Sequence, residues 1–165
     1  MIKDLKESSY FAFEGKFYSS FFKRELNIYI KDGATVEYAE KCVQDFDNMS
    51  EELIDRICRA SKAYCLDFMD MVGEEEIMEE LTVPIYPDTD PKEILKCFYP
   101  TVLIVEKPDD ESKIGWQIEC NCDWEIEHGM EIDVLDGKLV YLSSFNDYSP
   151  WSEYDEDDYN FVNRI

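Results

Sequence analysis

Apolar and polar residues alternate in two separate parts of the chain, one near each end. In the first part, aromatic runs cover residues 10–13 and 17–22, and residues 26–30 place apolar and polar side chains in turn. A period of two residues is typical of half-buried strands, and Glu14-Gly15-Lys16 has the composition of a hairpin turn. The pattern therefore predicts an antiparallel strand meander over residues 1–33.

Apolar residues between positions 34 and 99 recur at helical spacing instead. Thr35 and Ser50 each precede such a stripe, and their hydroxyls are suited to cap a helix N-terminus. The second stripe reaches Gly73, a residue that commonly ends helices. We predict two helices that pair as a helical hairpin, followed by an irregular acidic stretch over residues 74–90.

The strand pattern returns over residues 100–142. Residues 116–124 show strict alternation, and Asp136-Gly137 is a strong hairpin signal. The predicted fold class is α+β, with an antiparallel sheet built from N-terminal and C-terminal strands and the helical hairpin packed on one face. The whole chain is interpreted as a single domain, in which residues 143–165 form an acidic, aromatic tail that packs along the body.

The charge of the chain is strongly negative and unevenly distributed. The formal net charge is −23 at pH 7, yet residues 1–33 carry six basic and five acidic side chains, a net charge of +1. Phosphate binding requires Lys and Arg, so the composition argues against nucleic acids and anionic membranes as partners. The negative charge favours a basic protein as the partner. The sequence does not indicate the oligomeric state.

Neither export nor membrane insertion is indicated by the sequence. The N-terminus lacks the apolar core of a signal peptide, and no apolar run is long enough to span a bilayer. A cytoplasmic location is therefore expected. The six cysteines are then expected to be free and mostly buried, because disulfide frameworks belong to small exported chains.

One arrangement of acidic residues is more specific than the overall charge. If residues 114–124 and 130–135 form neighbouring strands, one outward face carries Glu119, Asn121, Asp123, Glu131 and Asp133. Like charges that face each other across strands destabilise a sheet, so such a face favours a functional role. We predict that Glu119, Asp123, Glu131 and Asp133 bind the partner. The alternative is a face that only keeps an acidic protein soluble.

Soft metal ligands occur together at one place in the sequence. Cys120, Cys122 and His128 have a C-x-C-x5-H spacing and are ligands that zinc accepts. A structural zinc site needs four ligands, and His128 is the only histidine. The two thiols also share the alternation of Trp116 and Trp124, which favours a place in the core. We predict no bound metal and no cofactor, and these three residues are the candidates if that prediction fails.

No catalytic residue is predicted. The sequence has no glycine-rich phosphate loop and no G-x-S-x-G motif, and with 39 acidic residues paired carboxylates arise by chance. The acidic runs at residues 88–90 and 155–158 lack the ligand spacing and central glycine of a calcium loop. These runs are interpreted as acidic side chains exposed to solvent. Without a catalytic motif, the chain is interpreted as a non-enzyme.

The segment from Cys122 to Ile132, CDWEIEHGMEI, together with Asp136-Gly137-Lys138, resembles a motif of an uncharacterised bacterial family. The resemblance extends over roughly residues 114–142. That family consists of small, acidic α+β domains without assigned activity, and some similar proteins lie beside secreted-toxin genes, which points to immunity proteins. The resemblance implies a bacterial source and a sheet-based C-terminal half, and it transfers no functional residue.

Two classes of function remain open from the sequence. The first is a non-enzymatic, acidic protein-binding module, most concretely an immunity or inhibitor protein that covers a basic toxin. The second is a metal-binding protein or metal-assisted hydrolase that uses His128 with nearby carboxylates or thiols. A structural or regulatory domain without a dominant partner is a third interpretation.

Overall fold

A computed structural model describes residues 1–155 and 159–165. The strands are β1 (Lys3–Glu7), β2 (Phe13–Ser19), β3 (Arg24–Ile30), β4 (Phe98–Val105), β5 (Gly115–Cys122), β6 (Met130–Leu135) and β7 (Lys138–Ser143). The helices are α1 (Val36–Asp47), α2 (Glu51–Val72) and α3 (Glu74–Glu80), with short 3₁₀ helices at Pro91–Lys96 and Phe161–Arg164. The strands form one sheet in sequence order, β1 to β7, and helices pack against it. The predicted α+β class is confirmed.

Both long helices begin at their predicted caps. The Thr35 hydroxyl accepts the N–H of Tyr38 at 3.1 Å, and the Ser50 hydroxyl accepts the N–H of Leu53 at 3.1 Å. These side chains satisfy amides that have no partner within the first helical turn. The helical segment carries the chain from the end of β3 back to the start of β4, so these two strands are parallel while all other neighbours are antiparallel.

The predicted hairpin at Glu14-Gly15-Lys16 is wrong, because β2 passes through these residues without a turn. Each of them pairs with a residue of β3, with Gly15 opposite Ile28. A Cβ atom on Gly15 would lie 2.9 Å from the carbonyl oxygen of Lys3. The glycine therefore permits the close approach of β1, a strand that the apolar pattern did not predict.

The stretch predicted to be irregular begins with a helix, α3. Three glutamates occupy its first turn, where the positive end of the helix dipole favours negative charge. Ile77 is buried against the rest of the protein and anchors the helix. Gly73 separates α3 from α2 with a φ of 139°. A short run with one apolar anchor does not produce a recognisable helical stripe in the sequence.

The alternation over residues 116–122 divides the two faces of the sheet as predicted. On the helix-covered face, Trp116, Ile118 and Cys120 of β5 lie opposite Val134, Ile132 and Met130 of β6, and all six are buried in the main core. The intervening residues of both strands point to the other face. This outward face carries the acidic residues that the sequence singled out.

All six cysteines are free and buried, as expected from the sequence. Burial raises the pKa of the thiols, for example of Cys58 and Cys65 to about 12, so they are protonated core side chains. Across the described ranges, no helix combines the length and apolar character that crossing a membrane requires.

Candidate functional site

Three of the four predicted partner-binding residues lie on the outward face of the sheet. Glu119 of β5 is opposite Glu131 of β6, and Asp133 of β6 is opposite Gln117 of β5. Glu119 is half-buried, whereas Glu131 and Asp133 have an exposed fraction of 0%. The expectation that Glu131 and Asp133 lie open to a partner is therefore wrong. Both are covered by the chain's own C-terminal segment, which the strand pattern alone could not place.

Residues 144–155, called the strap below, cross this face after β7. The two carboxylate oxygens of Glu131 accept the backbone N–H groups of Asn146 and Tyr148, at 2.8 and 2.9 Å. The rings of Tyr148 and Tyr154 pack on Tyr141 of β7, with centroid distances of 4.9 and 5.3 Å. The acidic face thus serves as the docking surface of the strap.

Burial dominates the electrostatics under the strap. It raises the pKa of Glu131, although the two N–H donors of the strap act in the opposite direction. Burial raises the pKa of Asp133 well above its ordinary value, and the nearby Glu131 carboxylate adds to this. Glu119 also has a raised pKa, first from burial and then from Glu131. Glu131 and Asp133 are therefore part of the protein interior, whereas Glu119 is only half-buried.

The fourth predicted residue, Asp123, lies beyond the end of β5 in the turn that leads to β6. Its Oδ2 atom accepts the N–H of Thr82 at 2.8 Å, and its own N–H donates to the carbonyl of Cys97 at 2.9 Å. Asp123 therefore joins this turn to the segment that follows α3. It is only partly buried.

We call the surface formed by α3 and the turn at residues 121–127 the acidic end. Two shallow grooves lie on it. The first is lined by Glu74, Glu75, Met78, Glu79 and Tyr86, and the second by Glu80, Tyr99, Asn121, Cys122, Asp123 and Ile126. Each groove therefore combines carboxylates with apolar side chains.

Large apolar groups on the acidic end are open to solvent. Ile126 is 82% exposed, Tyr86 47% and Tyr99 40%. Among the described residues, the carboxylates of α3 and Asp123 have no Lys or Arg within salt-bridge distance. Arg24 lies over the ring of Tyr99, 4.3 Å from its centroid. Exposed apolar groups beside uncompensated charge are a surface that a basic, partly apolar partner would complement.

The three metal candidates do not come together as a ligand set. Cys120 and Cys122 are 1% and 4% exposed and face the core, and burial raises the pKa of both thiols. His128 is exposed, and its Nδ1 atom lies 3.0 Å from the buried Glu125 carboxylate. Within residues 1–155 and 159–165, no group of three or more His, Cys, Asp and Glu side chains could hold a metal ion. Of the acidic run at 155–158, residues 156–158 lie outside the described residues.

We expect zinc to leave the melting temperature of the protein unchanged. Zinc binding would require the buried thiols to lose protons and leave the core, which burial opposes. Thermal unfolding with and without equimolar zinc measures this. A stabilising shift that disappears in the His128→Ala variant would contradict the expectation and restore the metal hypothesis.

The sequence patterns missed the apolar part of the acidic end. Ile126 stands between Glu125 and Glu127, after the strand alternation has ended, and Tyr99 precedes Pro100. An isolated apolar residue among acids in a turn is a signal that could have pointed to an exposed contact. The proximity of Tyr99 to Ile126 depends on the pairing of β4 with β5 and is not visible in local sequence.

Fold and site together define a mixed α+β protein with one mostly antiparallel sheet, helices against it and an acidic, partly apolar end. The model of one family, described as "Domain of unknown function (DUF6985)", matches residues 1–149, and the chain belongs to this family. The match extends far beyond residues 114–142 and includes all seven strands. No curated protein and no solved structure matches the chain.

Proposed function

We propose that this chain is a protein-binding module that docks a basic partner on its acidic end. The observation that carries the proposal is Ile126, a large apolar side chain that is 82% exposed in a groove with Glu80 and Asp123. A single exposed apolar residue is common on protein surfaces. Here Ile126 shares its groove with exposed Tyr99, and Tyr86 lines the other groove of the acidic end. Such anchors, surrounded by polar residues, are typical of binding interfaces.

Charge supports the choice of a basic partner. Within the part of the chain that the structure describes, the carboxylates of α3 have no Lys or Arg within salt-bridge distance, so each leaves a negative field at the surface. Such a field accelerates the encounter with a positively charged protein and disfavours acidic ones. The apolar side chains then contribute contact area once the two surfaces meet. Asp123 belongs to this surface, and Glu119 lies two residues before Asn121 on the same face of β5.

The most concrete form of this proposal is an immunity or inhibitor protein in the bacterial cytoplasm that covers a basic toxin. Two features support it. The resemblance over residues 114–142 is to proteins of which some lie beside toxin genes, and six free, buried thiols suit a reducing compartment. In this form, binding would cover a basic surface of the toxin, and no chemistry by the chain itself is needed.

A capture experiment with matched variants tests the proposal. The first variant, E75K/E79K/I126S, changes only exposed residues of the acidic end. The second, D109K/E111K/Y10S, makes the same change in net charge and also removes one exposed apolar residue, but lies elsewhere. We expect immobilised wild-type protein and the second variant to capture the same basic protein from the native cell. The first variant should capture it at least about tenfold less well, a loss of about 1.4 kcal/mol.

Two results would overturn the proposal. One is capture of the same partner by the acidic-end variant at the wild-type level. The other is equal loss in both variants, since that would mean net charge alone governs binding. The captured protein is then purified and titrated into each variant by calorimetry, so that the comparison is between affinities of one identified partner.

A further inference from the structure

The phenol hydroxyl of Tyr154 in the strap contacts the buried carboxyl group of Asp133. The Tyr154 hydroxyl lies 2.7 Å from Oδ2 of Asp133 and 2.6 Å from the carbonyl oxygen of Ser149. A phenol has one proton to donate, and a carbonyl oxygen has none. If Asp133 were ionised, two acceptors would compete for that one proton. If Asp133 is neutral, it donates to the phenol oxygen and Tyr154 donates to Ser149, and both short contacts are hydrogen bonds.

Hydrogen-bond donors are also scarce in the rest of this interior. Among the described residues, Oδ1 of Asp133 and Oε1 of its cross-strand neighbour Gln117 are buried without a hydrogen-bond partner. The amide nitrogen of Gln117 has two N–H donors, and they serve other acceptors: it donates to the carbonyl of Tyr148 at 2.7 Å, and the Gln117 side chain also bonds Glu131. Buried acceptors without donors are costly, and a charged one costs more than a neutral one. A proton on Asp133 reduces this cost.

The surrounding charges also favour a neutral Asp133. Titratable and charged groups surround Asp133 on several elements. They are Glu119 of β5, Glu131 of β6, Tyr141 of β7, Lys31 after β3, Glu106 after β4, and Asp147, Tyr148 and Tyr154 of the strap. Lys31 is the one cation in this described set, and it pairs with Glu106 at 2.5 Å and Asp147 at 3.1 Å. Glu131 accepts two N–H donors, as an ionised carboxylate does. A second negative charge at Asp133 has no counterion within this set.

We propose that Asp133 carries a proton in the native protein at neutral pH and that this proton locks the strap to the sheet. Neutral Asp133 donates to the phenol oxygen of Tyr154, and Tyr154 donates to the Ser149 carbonyl. Loss of the proton places two charges side by side under the strap and leaves one of the two acceptors without a donor. The strap is then expected to loosen at alkaline pH, which makes it a pH-sensitive element of the fold.

The sign of the pH effect follows from the direction of the pKa shift. The pKa of Asp133 is raised in the folded state, so between the unfolded and folded pKa values the folded protein binds more protons than the unfolded chain. The contribution of this group to stability is fully present below the unfolded pKa and is lost as pH rises toward the folded pKa. One linked proton changes the unfolding equilibrium constant by up to about tenfold per pH unit.

The test compares wild-type protein with Asp133→Asn in denaturant unfolding from about pH 5 to pH 9. The asparagine amide retains the shape of a neutral carboxyl and can donate to Tyr154, but it does not titrate. We expect the wild-type protein to lose stability relative to the variant as pH rises, by up to about tenfold in the unfolding equilibrium constant per pH unit. Identical pH profiles for the two proteins would overturn the proposal.

A second measurement on the wild-type protein keeps the test valid if the variant does not fold. Carboxyl ¹³C resonances of aspartate report each protonation state directly. We expect one aspartate to remain protonated at pH 7, and amide exchange of Asn146 and Tyr148 to accelerate beyond its intrinsic rate as that group titrates. Ionisation of every aspartate at pH 7 would refute the lock.

Discussion

Replacing Gly129 with alanine is expected to destabilise the protein by about 3–4 kcal/mol, far more than the same change at Gly137. Gly129 has a φ of 69°, and a Cβ atom there would lie 2.4 Å from the carbonyl oxygen of Cys120. Backbone atoms of β5 cannot move away as a flexible side chain could. The turn that presents Ile126 therefore depends on a glycine at its end.

Gly137 is the matched control for this prediction. It has nearly the same φ, 72°, but a Cβ atom there would meet nothing within 4 Å. Only the left-handed backbone is penalised, so we expect a loss of about 1 kcal/mol. Urea unfolding of both variants measures the two free energies. Equal losses would show that the close approach of Gly129 to β5 does not restrain the turn.

The second large effect is expected from Glu131→Ala, which should lower the free energy of unfolding by about 2–3 kcal/mol. The variant removes the acceptor of the Asn146 and Tyr148 N–H groups, which then lie without partners in the packed strap. Removal of a carboxylate whose charge burial disfavours offsets part of this loss. Limited proteolysis should cleave the strap faster in the variant than in the wild-type protein.

Glu119→Ala provides the comparison on the same face. Glu119 lies opposite Glu131 but is only half-buried, and among the described residues its side chain has no hydrogen-bond donor. We expect a change within about 0.5 kcal/mol, as for ordinary surface substitutions. If Glu131→Ala were as mild as Glu119→Ala, the carboxylate of Glu131 would not be what holds the strap.

Much of the fold could be predicted from the sequence because its signals are local. Neighbouring residues determine the helix caps at Thr35 and Ser50 and the end of α2 at Gly73. Apolar and polar residues alternate along β5 because only one of its faces packs in the core. Gly15 was misinterpreted for the opposite reason. Its role depends on a strand that approaches from elsewhere in the chain, and composition alone cannot distinguish such a glycine from one in a turn.

The same difference between local signals and contacts from distant parts of the chain explains why the site was predicted only in part. The period of two residues correctly placed Glu119, Glu131 and Asp133 on one face of the sheet. It could not show that the strap covers that face, because the strap has no regular period and its bonds to Glu131 come from backbone amides. The acidic end was missed because it is assembled from α3, the start of β4 and the turn after β5, which are distant in sequence.

The most direct test of the proposed function is the salt dependence of partner binding. The purified partner is titrated into the wild-type chain and into E75K/E79K/I126S at about 50 mM and about 300 mM salt, a change that shortens the Debye length about 2.4-fold. We predict that wild-type affinity drops steeply with salt, while the variant binds weakly at low salt and responds less to added salt. Equal affinities and equal salt responses of the two proteins would contradict a docking role for the acidic end.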